Sequence, residues 1–414
     1  MRKTSAIWVL LAVSAAAVFG AKDSCVDCHS ALGGPLQAPV AGFTNDIHKR
    51  FGFSCADCHG GNPGADDPEA AMSRARGFKG KPARTAIPQL CSRCHSDAAL
   101  MHKYEPQQRV DQYAQYVTSI HGKRIAEGDT GAAVCTDCHG VHGIRGVKDS
   151  LSPVHPLRLP ETCARCHADA QHMAKYKIPT DQFAEYRKSV HWEALEKRGD
   201  LSAPSCASCH GNHGATPPGV ASVANVCGTC HVLMENLYNK SPHQAAFASM
   251  GVGSCTVCHS NHAVLKTSSK MLSGPDAVCS RCHESTSAGG LAAAQMGGML
   301  GKLRDALAQS DAELDRASKA GMEVSEALLR ENDAREALVK ARVAVHAFQP
   351  DAVEKPVKEG LAIATETHRT GVAAMAERGR RRVGLGISLV TILITMAGLW
   401  MAIRRLEARP RQGG

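Results

Sequence analysis

The longest apolar run lies near the C-terminus. Residues 383–403, VGLGISLVTILITMAGLWMAI, carry no charge over 21 positions. That length suits one membrane-spanning helix, with a wholly buried soluble helix as the alternative. A shorter run, Ile7 to Phe19, follows Arg2 and Lys3, and small residues surround Gly20. This reads as a secretory signal peptide cleaved near Gly20 or Ala21, or else as an uncleaved anchor. No cysteine stands just after the run, which speaks against a lipoprotein anchor. Between residues 290 and 345 Ala, Leu, Glu, Lys and Arg dominate, and Leu300, Leu303, Leu307 and Leu314 keep helical spacing. Gly321 is expected to break that run, and Pro350 and Pro356 to mark a further turn. Two or three long helices folded as hairpins follow from this pattern.

Two phrases repeat earlier in the chain: DQYAQYVTSIHGKRI at 111–125 and DQFAEYRKSVHWEAL at 181–195. Spacings of three and four put Tyr113, Val117, Ile120 and His121 on one helical stripe, and Phe183, Tyr186, Val190 and His191 on another. Each histidine then points where the apolar residues point. A buried imidazole needs a partner. A clipped echo, YNKSPH, ends on His243.

The cysteines change this picture. There are 18, all in C-x-x-C pairs, and histidine follows every pair at once. The motifs are Cys25–Cys28–His29, Cys55–Cys58–His59, Cys91–Cys94–His95, Cys135–Cys138–His139, Cys163–Cys166–His167, Cys206–Cys209–His210, Cys227–Cys230–His231, Cys255–Cys258–His259 and Cys279–Cys282–His283. C-x-x-C-H is the attachment signature of c-type haem. Two thiols add to the vinyl groups, and the adjacent histidine reaches the iron as proximal ligand. A structural zinc would pair two C-x-x-C knuckles with no reason for a histidine after each. A redox dithiol or a disulfide needs none either. The count implies nine covalent haems c.

The motifs span residues 25–283, about 29 residues per haem, and aromatic content is only 4%. So thin a chain cannot build an ordinary side-chain core; the porphyrins must supply the apolar bulk. Stretches such as GGNPGADDPEA and TPPGVAS favour loops. The expected fold is mainly α with much irregular loop: a haem-packed domain, a C-terminal helical hairpin and one transmembrane helix. Formal charge is +9, but residues 21–290 hold 27 Lys+Arg against 24 Asp+Glu. Nine haems with their propionates turn that region to about −6, which argues against nucleic acid as a partner.

The repeat runs motif, helix with Ser-x-His at its end, motif. One copy goes from Cys91 through His121 to His142, the next from Cys163 through His191 to His213. A shortened copy goes from Cys227 through His243 to His262, and a divergent first copy from Cys25 through His48 to His59. Cys279–His283 stands unpaired. A haem iron with one histidine has an open opposite face, and a second histidine closes it. Recurrence favours this distal role for His48, His121, His191 and His243 over that of a core histidine bonded to a carbonyl. His142, His213 and His262 lie three residues after a proximal histidine, on its own side of the haem. They can reach only a neighbouring iron. Further distal candidates are His155, His102, His172 and His346. Met101 and Met173 align between repeats; methionine is an axial alternative, and core packing is the other reading. His368 is expected to be solvated.

The paired motifs and S-x-H-G phrases resemble the multihaem c-type cytochromes of respiratory bacteria. They are similar to periplasmic quinol-linked cytochromes and, more distantly, to the cytochrome c554 and octahaem hydroxylamine oxidoreductase group. The resemblance implies distal ligation by His121, His191, His243, His142, His213 and His262. SIHG matches well, SVHW lacks the glycine and SPHQ departs most. It also implies a membrane-tethered electron relay between a quinol-oxidising membrane partner and periplasmic redox proteins, in anaerobic-type respiration. The competing class is a multihaem oxidoreductase of small nitrogen or sulfur compounds at one open-faced haem. No C-x-x-C-K occurs, and the ten non-motif histidines before residue 290 are enough to make every iron six-coordinate. That favours the relay, without substrate chemistry of its own. A structural scaffold would not need nine redox centres.

The expected organisation is therefore a signal peptide over 1–20, a nine-haem domain over 21–287, a long-helix hairpin region over 288–382, the span at 383–403 and a basic tail over 404–414. Arg378, Arg380, Arg381 and Arg382 before the span balance Arg404, Arg405, Arg409 and Arg411 after it, so the positive-inside comparison is tied. Haem attachment outside the cytoplasm places the haem domain in the periplasm and the tail in the cytoplasm of a bacterial inner membrane protein.

Overall fold

The computed structural model describes residues 23–217 and 219–407. The signal segment, and Arg409 and Arg411 of the tail, lie outside them. Among the described residues there are helices and loops and no strand, the mainly α, loop-rich fold the pattern predicts. The chain divides into two compact units, residues 1–219 and 220–414.

The first unit carries six motifs, on helices of ten residues or fewer. Opening and closing motifs are built differently. The opening motifs Cys91 and Cys163 end nine-residue helices, Ile87–His95 and Leu159–His167, each with a proline at the second position. Proline suits a first turn, where its missing N–H has no partner to lose. The closing motifs Cys55–His59, Cys135–His139 and Cys206–His210 are isolated five-residue helices. The N–H ahead of each is tied to the third motif residue: Ser54 to Asp57 at 2.6 Å, Val134 to Asp137 at 2.6 Å and Ser205 to Ser208 at 3.1 Å. Each of these helices stops on a glycine with φ of +71°, +83° or +76°, at Gly60, Gly140 and Gly211, a backbone that glycine adopts at little cost. Protein-only cores are small: Ile125, Ala132 and Val134 beside Ile87, and Ala194, Leu195 and Ala203 beside Leu157.

The repeated phrases are not single helices. Gln112–Tyr116 ends, and Ser119 caps a second helix, Ile120–Ala126. The expected stripe therefore fails: Val117 is 44% and Ile120 65% exposed. The later copy breaks likewise, between Gln182–Tyr186 and Val190–Trp192. The reason is the serine, whose side chain competes for backbone N–H groups and so prefers a cap to a helix interior.

The second unit carries three motifs and a bundle of helices Ala288–Lys319, Ser325–Ala344 and Pro350–Glu407. Leu300, Leu303 and Leu307 of the first pack against Ala334, Leu338 and Ala341 of the second and Val353, Val357 and Ala364 of the third. Gly321, at φ +78°, stands in the turn after the first helix, as expected. Pro350 opens the third helix, but Pro356 lies inside it and marks no turn. The chain turns earlier, through Val345–Ala347 and Phe348, whose φ is +54°. Inside the bundle Glu331 is fully buried and accepts hydrogen bonds from Ser310 Oγ, at 3.1 Å, and from Thr367 Oγ1. The third helix runs 58 residues without a break, about 87 Å at 1.5 Å per residue. It alone among the described helices is long and apolar enough to cross a membrane. Val383 is 65% and Ile394 68% exposed, as lipid-facing side chains would be.

Candidate haem-binding sites

Among the described residues, six pairs of histidine rings stand opposite one another, and each pair joins a motif histidine to a non-motif one. In the first unit these are His95 with His48 (centroids 5.9 Å apart), His59 with His142 (5.9 Å), His167 with His121 (6.1 Å) and His139 with His213 (6.2 Å). In the second they are His283 with His243 (5.9 Å) and His259 with His346 (6.0 Å). Two imidazole nitrogens each about 2 Å from one metal, and each about 1 Å out from its ring centre, give a centroid separation of about 6 Å. The spacing fits one metal atom between the rings. Among the described residues no group of three or more His, Cys, Asp or Glu converges to hold an ion. Two protein donors per site is what an iron needs when a porphyrin fills its other four positions. All 18 thiols are free, half-exposed or exposed. The residues present fit covalent haem.

The chain presents the non-motif histidines in recurring ways. Ser119 caps its helix by accepting from Gly122 N at 3.1 Å, and Ser189 from Trp192 N at 3.0 Å. Ser241 stands at the N-cap position of Pro242–Met250, its hydroxyl turned to the Tyr238 carbonyl. His121, His191 and His243 are thus the second helical residue after a serine cap. Asp46-Ile47-His48 is the same device with aspartate as cap. Asp46 is 3% exposed and binds three donors: His48 N at 2.9 Å, His48 Nδ1 at 2.8 Å and Ile144 N at 2.8 Å. It ties the His48 turn to the loop that carries His142. That loop presses on Gly42, where a Cβ would stand 1.9 Å from the His142 carbonyl oxygen. Only glycine fits there.

Hydrogen bonds also orient the rings. His29 Nδ1 is held by the Leu36 carbonyl at 3.2 Å, His59 Nδ1 by Gly80 at 2.8 Å and His346 Nδ1 by Val343 at 3.0 Å. With Nδ1 as donor, Nε2 keeps its lone pair for a metal. Burial, then the neighbouring His213 and His95, push His139 down to about 4. Burial likewise lowers His95, His142, His213 and His259. The neutral imidazole is the ligating form.

Within each unit the motifs follow one another in space in their sequence order. Cys55 lies near Cys25, Cys91 near Cys135, and Cys163 near Cys206. Between repeats, Cys58 lies near Cys94 and Cys138 near Cys166. In the second unit Cys255 pairs with Cys227, and Cys258 lies near Cys279 and Cys282. Sequence reading missed the hooks that join successive repeats. Arg93 donates to the Cys58 carbonyl at 3.3 Å, Arg165 to Asp137 at 2.8 Å and Arg281 to Val257 at 3.5 Å. Their signal was legible: CSRCH, CARCH and CSRCH carry arginine at the same motif position.

Other candidates are placed elsewhere. His102 turns its Nε2 to the Gln108 carbonyl at 3.1 Å. His155 is 8% exposed and accepts from Leu157 N at 3.4 Å. His172 lies 5.9 Å from the Tyr176 ring. Met173 is buried at 4% exposure. His368 is half-buried on the long C-terminal helix, not solvated. His191 and His262 occupy the same repeat positions as His121 and His142, and both have interaction partners.

Comparison with known proteins agrees with this geometry. No curated protein and no solved structure matches the chain. The family model described as Cytochrome c3 matches residues 47–150 and 202–284, 187 of the 414 residues. Those segments hold the first-unit loops that carry His48 and His142 and the closing motifs of all four repeats. The match supports a multihaem c-type cytochrome that binds haem c covalently and transfers electrons.

Proposed function

We propose that this chain is a membrane-tethered nine-haem relay, with its haem domain on the periplasmic side of a bacterial inner membrane. It carries electrons between a quinol-oxidising membrane partner and periplasmic acceptors. The observation that carries this reading is the six facing histidine pairs at 5.9–6.2 Å. Haem held in this way supplies one-electron exchange with no bond made or broken at the iron. The chain's part is to fix ligands, exclude competing chemistry and set spacing. The non-motif histidines of the pairs would hold the haem opposite its motif histidine, which would leave the paired sites no opening for a substrate. His48 and His121 each serve the opening motif of the following repeat and His243 the unpaired Cys279 motif, while His142 and His213 serve the closing motif of the preceding repeat. Within each unit this exchange ties successive motifs together. The sequential neighbouring of motif thiols supports an unbranched order of haems within each unit. The 383–403 helix keeps the array at the membrane surface, where quinol is the available donor.

Intact mass of the acid-extracted full-length protein is expected to give nine haems. Deleting residues 383–414 is expected to release a red, soluble, nine-haem product into the periplasmic fraction. Fewer haems in a maturation-competent host, or haem retained in membranes after the deletion, would contradict the reading.

A further inference from the structure

The first motif stands apart from the six paired sites. His29 lies in the last turn of the Ser24–Leu32 helix, and its Nδ1 is engaged by the Leu36 carbonyl at 3.2 Å. The ring is held through Nδ1 as that of His59 is, with Nε2 available to an iron. Yet among the described residues no histidine ring faces it. The histidines left over are engaged elsewhere: His102 through Nε2 with Gln108, His155 with Leu157 N, His172 beside Tyr176, and His191, His210, His231 and His262 each have interaction partners of their own. Residues 1–24 contain no histidine. The repeat supplies the physical reason. The second ligand of an opening motif comes from the cap helix of the repeat before it, as His48 serves His95 and His121 serves His167. Residues 1–24 hold no histidine that could play this part for His29. The helices around the site also present little covering bulk. Leu32 is 55% and Leu36 52% exposed, and nothing lies within 4 Å of a Cβ placed on Gly33 or Gly34.

We infer that the haem at Cys25, Cys28 and His29 receives a single axial ligand from this chain and binds small exogenous ligands on its other face. The ligand class is small π-acceptors on the reduced iron, such as carbon monoxide, and small anions on the oxidised iron, such as cyanide. This rests on the haem-array reading above. It adds to that reading a terminal iron whose neighbour, through Cys55 beside Cys25, connects it to the rest of the array.

The test is carbon monoxide titration of the dithionite-reduced full-length holoprotein in detergent, with haem number fixed beforehand by intact mass. The expected uptake is one carbon monoxide per nine haems. The ferric protein is expected to show one high-spin haem and eight low-spin ones. Cys25→Ala/Cys28→Ala is expected to hold eight haems and lose the uptake entirely. Should that variant not accumulate, Cys25→Ala keeps the haem on one thioether and leaves one vinyl group conjugated. The gas-sensitive α-band must then be the red-shifted one. No uptake by wild type, or uptake that survives loss of the first haem, overturns the inference while leaving the nine-haem count intact. A low haem count would instead strike the array itself.

Discussion

At the scale of single residues, Asp46 shows how much of the site lies beyond the ligands. It caps the helix, holds His48 Nδ1 and reaches across to Ile144 N, all through one buried carboxylate. A carboxylate on the far nitrogen makes an imidazole a stronger donor and stabilises the ferric iron it ligates. Asp46→Asn should keep the shape and remove the charge. We expect the potential of the haem at His95 to rise by on the order of 60 mV, the one-electron equivalent of a tenfold change in affinity. A spectroelectrochemical titration that resolves the low-potential haems checks this; unchanged potentials in the variant would show that Asp46 acts only as a cap. The aspartate was visible in the sequence as Asp-Ile-His beside Ser-Ile-His. What hid it was reading the serine as the end of one helix when it is the beginning of another.

At the scale of the element, the closing motif is a five-residue helix that must stop at once after its histidine. Three copies stop on glycine, whereas the fourth stops on Ser260, at φ +64°. A side chain there costs on the order of 1–3 kcal/mol, partly offset by glycine's larger loss of chain entropy, about 0.5–1 kcal/mol. Ser260→Gly should therefore stabilise the holoprotein by about 1 kcal/mol, read as a higher denaturant midpoint with its slope unchanged. A lower midpoint would mean that the serine hydroxyl makes a contact worth more than the strain. The same scale explains the missed Pro356. In a long helix with one face packed on two others, burial of Val353, Val357 and Ala364 outweighs the hydrogen bond a proline removes.

At the scale of the whole molecule, the fold class was legible because composition forbids anything else. Nine cofactor motifs in so short a span leave short helices and loops around porphyrin. The apolar periodicity after residue 290 leaves a bundle and a candidate span. Which histidine meets which was not legible. Ligand exchange between repeats is set by backbone paths through loops, and nothing in the spacing of His48 and His95 announces their meeting. His346 is the clearest case. It comes from the corner of the helical bundle, 87 residues after His259, and its ring stands 6.0 Å away. Its neighbour Phe348 lies 3.9 Å from the His243 ring, so one corner of the bundle reaches two candidate sites.

The central claim is that each facing pair holds one iron between its two rings. Carbon monoxide stoichiometry of the reduced full-length holoprotein tests it most directly, with His142→Ala, His213→Ala and His346→Ala set beside wild type. Each substitution should open one further haem, adding one carbon monoxide per chain to the wild-type value while haem number stays the same. A variant with its haems intact and no added uptake would contradict ligation by that histidine, and the same result in all three would leave the facing pairs as packing alone.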